Sequence, residues 1–256
     1  MIDPRAIVDP QAKLADDVDV GPFSIIGPHV TIDSGCWVGS HVVIEGHTRI
    51  GKNNKIYQFA SVGCDPQDKK YGNEPTRLEI GDNNVIREYC TLSTGTIQDN
   101  GITRIGSRNW IMAYVHIAHD CLVGNDTIFA NSTALAGHVR VEDYAILGGF
   151  TTVHQFCAIG THAFCGLNSS ISMDVPPFVT VSGVPAKVHG INSEGLKRRG
   201  FSAEQLGVIK KAYKTLYKSG LKLDEAIAEL KQMAEQSEDV FTMAAFLEKI
   251  TRGVVR

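Results

Sequence analysis

No apolar run in this chain approaches the ~20 residues of a membrane-spanning helix. The first stretch carries Asp3, Asp9, Asp16, Asp17 and Asp19, where a secretory segment would be apolar. Neither sign of charge prevails. The 25 Lys and Arg against 28 Asp and Glu give a formal net charge of −3, which argues against bulk electrostatic binding of nucleic acid but leaves room for a local basic patch facing an acidic partner. The six cysteines include no closely spaced pair, and a chain of 256 residues needs no covalent staples. They are read as reduced thiols in a cytoplasmic protein. Aromatic residues make up only 7%, whereas glycine is plentiful at 25 residues, a combination that points to repeated tight turns.

A repeat supplies those turns. An aliphatic residue recurs every six positions at Ile2, Val8, Leu14, Val20, Ile26, Ile32, Val38, Ile44, Ile50, Ile56 and Val62, and the phase returns at Ile80, Ile86 and Leu92. It slips by one, then runs from Ile105 through Ile111, Ile117, Val123, Phe129, Leu135, Val141, Leu147, Val153, Ile159 and Cys165 to Ile171. Glycine often follows the key position, as at Gly21, Gly39, Gly51 and Gly124, and is expected to relieve the turn. Neither helical nor simple strand periodicity produces this pattern. Six residues make one short strand and a turn, and three such sides close a triangular coil of 18 residues with the aliphatics on its axis. The expected fold is therefore mainly β, a parallel β-helix of roughly nine coils.

Two breaks interrupt the rod, at residues 64–77 and near 95–104. The phase survives from Val62 to Ile80, so the first loop is expected to replace part of a coil. After Pro176-Pro177 the repeat stops. Ser202-Ala203-Glu204-Gln205 reads as a capping box ahead of an apolar face of Leu206, Ile209, Tyr213, Leu216 and Tyr217. Asp224 is positioned to cap a second helix, and Ser237 a third that carries Phe241, Ala244, Leu247 and Ile250. The division is a β-helix over 1–190 and a small helical domain over 191–256.

The coil period converts sequence into geometry, because residues 18 apart stack on adjacent coils about 4.8 Å apart. His119 then lies against Gly137 and Asp120 against His138, giving an outward-facing cluster of His116, His119, Asp120 and His138. An isolated histidine is ordinarily a solvated or backbone-bonded ring; a stacked cluster with a carboxylate suits a general base whose tautomer the carboxylate fixes. No serine or cysteine sits in a nucleophile elbow, which favours direct transfer over a covalent acyl-enzyme. Convergence of the three histidines on a zinc ion is the competing reading. Cys36, Cys90, Cys121, Cys157 and Cys165 occupy core positions of the repeat and read as small packing residues.

The hexads resemble those of the hexapeptide acyltransferases. The strings IGPHV (26–30), SHVVIEGHTRIG (40–51), HIAHDC (116–121), LAGHV (135–139), VHQF (153–156), DVPP (174–177) and EGLKRRGF (194–201) narrow the resemblance to the UDP-N-acetylglucosamine 3-O-acyltransferases of lipid A synthesis, over nearly the whole chain. The resemblance implies a left-handed coil, a homotrimer with sites between neighbouring rods, and transfer of an (R)-3-hydroxyacyl group from acyl carrier protein to UDP-N-acetylglucosamine. It implies no metal and no bound organic cofactor. It assigns His119 as general base, Asp120 as its orienting partner and the Gly137 N–H as oxyanion donor. Asp68, Lys70, His116, His138 and Gln155 take the sugar and diphosphate; Asn192, Glu194 and Arg198, with Arg199 adjacent, take the uridine nucleotide. Lys197, Arg198 and Arg199 could equally form a basic helix end, or attract the acidic carrier protein.

Two positions depart from the family pattern. Ser93-Thr94 stand where His-Arg is expected, removing polar contacts near the sugar and leaving open an N-acyltransferase that uses a 3-amino sugar. Leu167 stands where long-chain members have glycine, which implies a groove closed to chains as long as ~14 carbons, because a close-packed wall has no other room for the isobutyl group.

Overall fold

A computed structural model describes residues 1–256. Each period is a two-residue strand followed by a corner, and the second strand residue is the aliphatic one, buried on the axis at Ile26, Ile32, Val38, Ile44, Ile50 and onward. Three sheets result, of nine, eight and ten strands. The first contains Ile7–Val8, His116–Ile117 and Ala134–Leu135; the second Lys13–Leu14 and Leu122–Val123; the third Asp19–Val20 and Ile128–Phe129. Pairing is parallel, with Ile7 opposite Ile25 and His116 opposite Ala134, so the coil is 18 residues as the sequence implies.

The glycines serve a different purpose from the one expected. A Cβ on Gly21 would stand 2.8 Å from the Gly39 carbonyl carbon, and one on Gly81 2.8 Å from that of Gly106. These positions are glycine because the next coil's backbone lies against them, not because the turn demands a left-handed residue. The left-handed corner residues are mostly not glycine: Phe23, His41, Phe59, Tyr89 and Tyr114 have φ between 56° and 64°. Such a conformation costs roughly 1–2 kcal/mol. Stacking of these rings at centroid spacings of 5.1, 5.3, 5.1 and 4.8 Å offsets part of it.

Polar side chains inside the coil are bonded along the axis. Asn54 donates to the carbonyls of Gly51 and Gly81, both at 2.8 Å, while its Oδ1 accepts from the Asn84 amide and side chain. The buried cysteines are likewise packing residues: burial pushes the thiols of Cys90, Cys121 and Cys165 up to about 12 and that of Cys157 to about 11.

Both interruptions leave from the same edge of the prism, where the first sheet turns into the second. The chain departs after Ser61–Cys64 and returns at Arg77–Ile80, then departs after Thr91–Ser93 and returns at Ile102–Ile105. Val62 and Ile80 therefore lie on successive sides of one coil, and the first loop is extruded from a corner rather than replacing part of a coil. Leu92 and Ile105 are 13 positions apart instead of a multiple of six, which is the origin of the phase slip.

Past Val179–Ser182, an antiparallel strand at Lys187–Ile191 ends the sheet, and four helices follow. They are α1 (Ser193–Arg198), α2 (Ala203–Lys218), α3 (Leu223–Ala234) and α4 (Glu238–Leu247). Ser202 and Gln205 form the expected capping box of α2, and Ser237 caps α4. The cap of α3 is Lys222, whose N–H donates to Glu225 at 2.8 Å; Asp224 sits in the first turn instead, where its charge favours the helix dipole. Ile250 falls beyond the end of α4, and Phe241 is exposed rather than part of the packed face. Leu196, Ile209, Leu216, Leu230 and Phe246 form the helical core, which Ala158 and Phe178 join from the rod. No helix is long and apolar enough to cross a membrane.

Candidate active site

The two extruded loops overhang the corner that follows His116–Ile117, and between them lies a cavity of about 800 Å³. His119 and His138 line it, with Gln67, Asp68, Lys69 and Lys70 from the first loop, Gln98 and Asp99 from the second, and Gln155 and Phe156 from the adjoining coil. Its walls are almost wholly polar and carry both signs of charge.

His119 Nδ1 lies 2.8 Å from Asp120 Oδ2. Asp120 is buried, and burial is the largest single influence on it, disfavouring its charge; hydrogen bonds from His119 and Thr96 and the nearby His138 outweigh that and hold the carboxyl below its usual value. An ionised carboxylate only accepts hydrogen bonds, so the proton of the neutral His119 ring is on Nδ1 and its Nε2 is a free base. Thr96 supports the pair twice, its N–H reaching Asp120 Oδ1 at 2.9 Å and its hydroxyl reaching Oδ2 at 2.6 Å. The Asp120 N–H donates to Thr103 Oγ1 at 2.8 Å. The residue beside His119 on the next coil is Gly137, where a Cβ would stand 2.7 Å from His119 Nε2. The Gly137 N–H has no partner within the chain.

His138 packs edge-on to His119 at a centroid distance of 5.1 Å and lies face to face with Phe156 at 4.4 Å. His116 is beside the cavity, not in its wall: Nδ1 bonds Thr91 Oγ1 at 2.7 Å on the sheet face, and burial, then the neighbouring His119, keeps its ring below the ordinary histidine value. His119, Asp120 and His138 could each offer a donor atom to a metal ion, all within 4.8 Å of one another. In this structure His119 Nδ1 and the Asp120 carboxylate bond each other, Thr96 also bonds Asp120, and His138 Nδ1 bonds Asp99, while the Nε2 atoms of both rings are unpaired.

The pattern of the six-repeat bacterial transferase hexapeptide family matches residues 102–137, and domain 2 of the UDP-N-acetylglucosamine O-acyltransferases matches residues 174–255. A Thiobacillus denitrificans protein named acyl-[acyl-carrier-protein]–UDP-N-acetylglucosamine O-acyltransferase is 59% identical, the match covering 100% of this chain and 99% of that one. The chain belongs to the UDP-N-acetylglucosamine O-acyltransferase family. Solved structures agree: the Francisella novicida enzyme superposes with a TM-score of 0.98 at 43% identity, covering 100% of this chain and 94% of its own. The Moraxella catarrhalis enzyme does so at 0.97 and 46%, covering 100% and 99%. The left hand of the coil comes with that fold.

Within this family frame, the residues expected at the site fall on three different edges of the prism. His119, Asp120, Gly137, His138, Gln155, Asp68 and Lys70 gather where the first sheet meets the second. Asn192 instead caps α1 and donates to the His162 carbonyl at 3.0 Å, Glu194 pairs with Lys197 at 2.9 Å, and Arg198 is exposed. Arg199 lies over the Tyr144 ring at 4.6 Å, on the edge between the second and third sheets. Leu167, 71% exposed, projects from the edge between the third and first sheets against Gly149. One copy of the chain does not bring the three groups together.

Ser93 and Thr94 are buried: Ser93 Oγ faces Cys64 Sγ at 3.5 Å and Thr94 Oγ1 accepts from Thr76 at 3.2 Å. They lie beneath the loops and are not part of the cavity wall. Sequence reasoning missed Thr96, Asp99 and Phe156. Phe156 was within reach, since it lies 18 positions after His138. Thr96 and Asp99 were not, because the slip at the second loop breaks the stacking rule where they sit.

Proposed function

We propose that this protein transfers an (R)-3-hydroxyacyl group from acyl carrier protein to the 3-hydroxyl of UDP-N-acetylglucosamine, the first step of lipid A synthesis, in the cytoplasm and without a metal or bound organic cofactor. The observation that carries the reading is the His119–Asp120 pair, with its free Nε2 in a polar cavity beside the unpartnered Gly137 N–H. His119 Nε2 takes the proton as the sugar oxygen attacks the thioester carbon. Asp120 holds Nδ1–H and stabilises the imidazolium. The Gly137 N–H receives the oxyanion. When the C–S bond breaks, His119 returns its proton to the departing thiolate, leaving the ester and the free carrier thiol. Asp68, Lys70, His138 and Gln155 hold the sugar and diphosphate, and His116 supports the His119 corner from the sheet face.

The working unit is a homotrimer. A site needing Arg198, Arg199, Asn192 and Glu194 for the nucleotide and Leu167 for the acyl end is supported only if other copies bring those edges to the His119 corner. Each rod has three edges to present. Leu167 closes the groove, and the preferred acyl chain is shorter than ~14 carbons.

The test is acyl transfer followed by mass spectrometry, offering UDP-N-acetylglucosamine and its 3-amino analogue with 3-hydroxyacyl carrier proteins of several lengths. Transfer to the hydroxyl sugar, reduced roughly 10²–10⁴-fold in His119→Ala, is the expected result. Transfer to the amine alone changes the acceptor; transfer to neither removes the reading.

A further inference from the structure

The second loop reaches both imidazoles of the site. Through Thr96 it holds Asp120, and through Asp120 it holds His119. Three residues further on, Asp99 Oδ2 lies 3.0 Å from His138 Nδ1. The other ring nitrogen, Nε2, lies 3.9 Å from Asp120 Oδ2, on the side of His119. Phe156, stacked at 4.4 Å, fixes the plane of the ring but offers no hydrogen bond to choose between its nitrogens. That choice falls to Asp99.

We infer that Asp99 is a positioning residue for the transfer reaction: by accepting the Nδ1–H of His138 it fixes the ring's orientation and tautomer and leaves Nε2 as the nitrogen presented to the substrate. The site then has two carboxylate–imidazole pairs, His119–Asp120 from one coil and His138–Asp99 bridging coil and loop, with Nε2 free in each. The two differ in setting. The Asp120 carboxylate is 1% exposed and built into the rod, whereas that of Asp99 is 39% exposed on the loop. A polar contact this open adds little to folding stability, so its consequence lies in which atom His138 offers. A carboxylate on an imidazole Nδ1–H is a recurrent way of setting that atom. It also ties the order of the loop to the readiness of the site, because one short segment releases both rings if it moves.

The consequence for activity rests on the proposed acyl transfer; the consequence for the ring does not. Full-length protein labelled with ¹⁵N in histidine, with His138 assigned through His138→Gln, reports the tautomer by two-bond proton–nitrogen correlations at mildly alkaline pH. The Nδ1–H form is expected in the wild-type protein, a mixture in Asp99→Ala, and the Nδ1–H form again in Asp99→Asn, whose amide oxygen still accepts. The kcat/KM for the sugar nucleotide is expected to fall roughly tenfold in Asp99→Ala, chiefly through KM, and to recover in Asp99→Asn, with Tm unchanged. An unaltered His138 tautomer in Asp99→Ala overturns the inference whatever the activity does. So does an altered tautomer with a wild-type kcat/KM for the sugar nucleotide. If the wild-type protein acylates neither sugar, the functional reading has failed while the tautomer still decides what Asp99 does to His138.

Discussion

At the scale of single residues, the site is decided by what has no side chain as much as by what has one. Gly137 does not have the positive φ that favours glycine. It is glycine because the His119 ring occupies the place of a Cβ. Gly137→Ala is expected to displace the imidazole from its bond with Asp120 and lower kcat by at least tenfold, with a smaller effect on Tm; wild-type kcat would show that the ring relaxes freely. The opposite case is Leu167, a large exposed side chain where little would be lost by removing it. Leu167→Gly is expected to lengthen the preferred acyl chain without lowering stability by more than ~0.5 kcal/mol. An unchanged chain preference in a competition assay would remove Leu167 from the groove. The place of Gly137 was legible in the sequence from the 18-residue stack, whereas the role of Leu167 rests on the family resemblance alone. Thr96 and Asp99 were not legible, since a loop of irregular length erases the spacing that gave Gly137 its position.

At the scale of elements, the hexads fixed the strands and the inward residues almost without loss, because a two-residue strand has only one way to turn an aliphatic onto the axis. The corners were less legible. Their left-handed residues are aromatic, histidine or asparagine more often than glycine, and the stacking that offsets their conformation is visible only between coils. The junction of rod and helices depends on Asp174 of the DVPP string. Its buried carboxylate accepts the N–H groups of Ala158 at 2.7 Å, Thr251 at 2.9 Å and Arg252 at 3.2 Å, tying the end of the chain to the last coil. Asp174→Ala leaves those donors unpaired and is expected to destabilise the protein by about 3 kcal/mol, read as a lowered urea midpoint. A midpoint within experimental error of wild type would mean that the tail is held by its apolar contacts alone.

At the scale of the whole molecule, rod and helical tail are clamped about His162. Its ring stacks between Tyr144 at 4.6 Å and Phe178 at 5.8 Å and meets Phe201 edge-on at 5.1 Å. Burial, with the Arg199 charge behind it, depresses the His162 pKa from 6.5 to about 4. A depressed histidine favours the folded state while it is neutral. That stability is complete above the unfolded value of 6.5 and is lost as pH falls toward the folded value of about 4, because in this window the unfolded chain binds a proton that the folded chain does not. Without solvent screening the loss over the whole window would be roughly 3–4 kcal/mol; allowing for the ring's partial access to solvent, it is on the order of 2 kcal/mol. Urea unfolding at about pH 7 and about pH 5, a span that covers roughly half of the loss, should therefore show the wild-type protein weakening, and His162→Phe, which keeps the stack but cannot titrate, weakening less by about 1 kcal/mol. Equal acid sensitivity in the two proteins would move the effect to His116, which burial also holds below the ordinary histidine value; these pH values lie above the range of Asp120. Its carboxyl, held below the ordinary value, contributes stability that is present above the unfolded carboxylate range and is lost as pH falls through its own lower one. The two titrations thus separate on the pH axis, and the histidine window is the one that loosens the clamp between the rod and the helices.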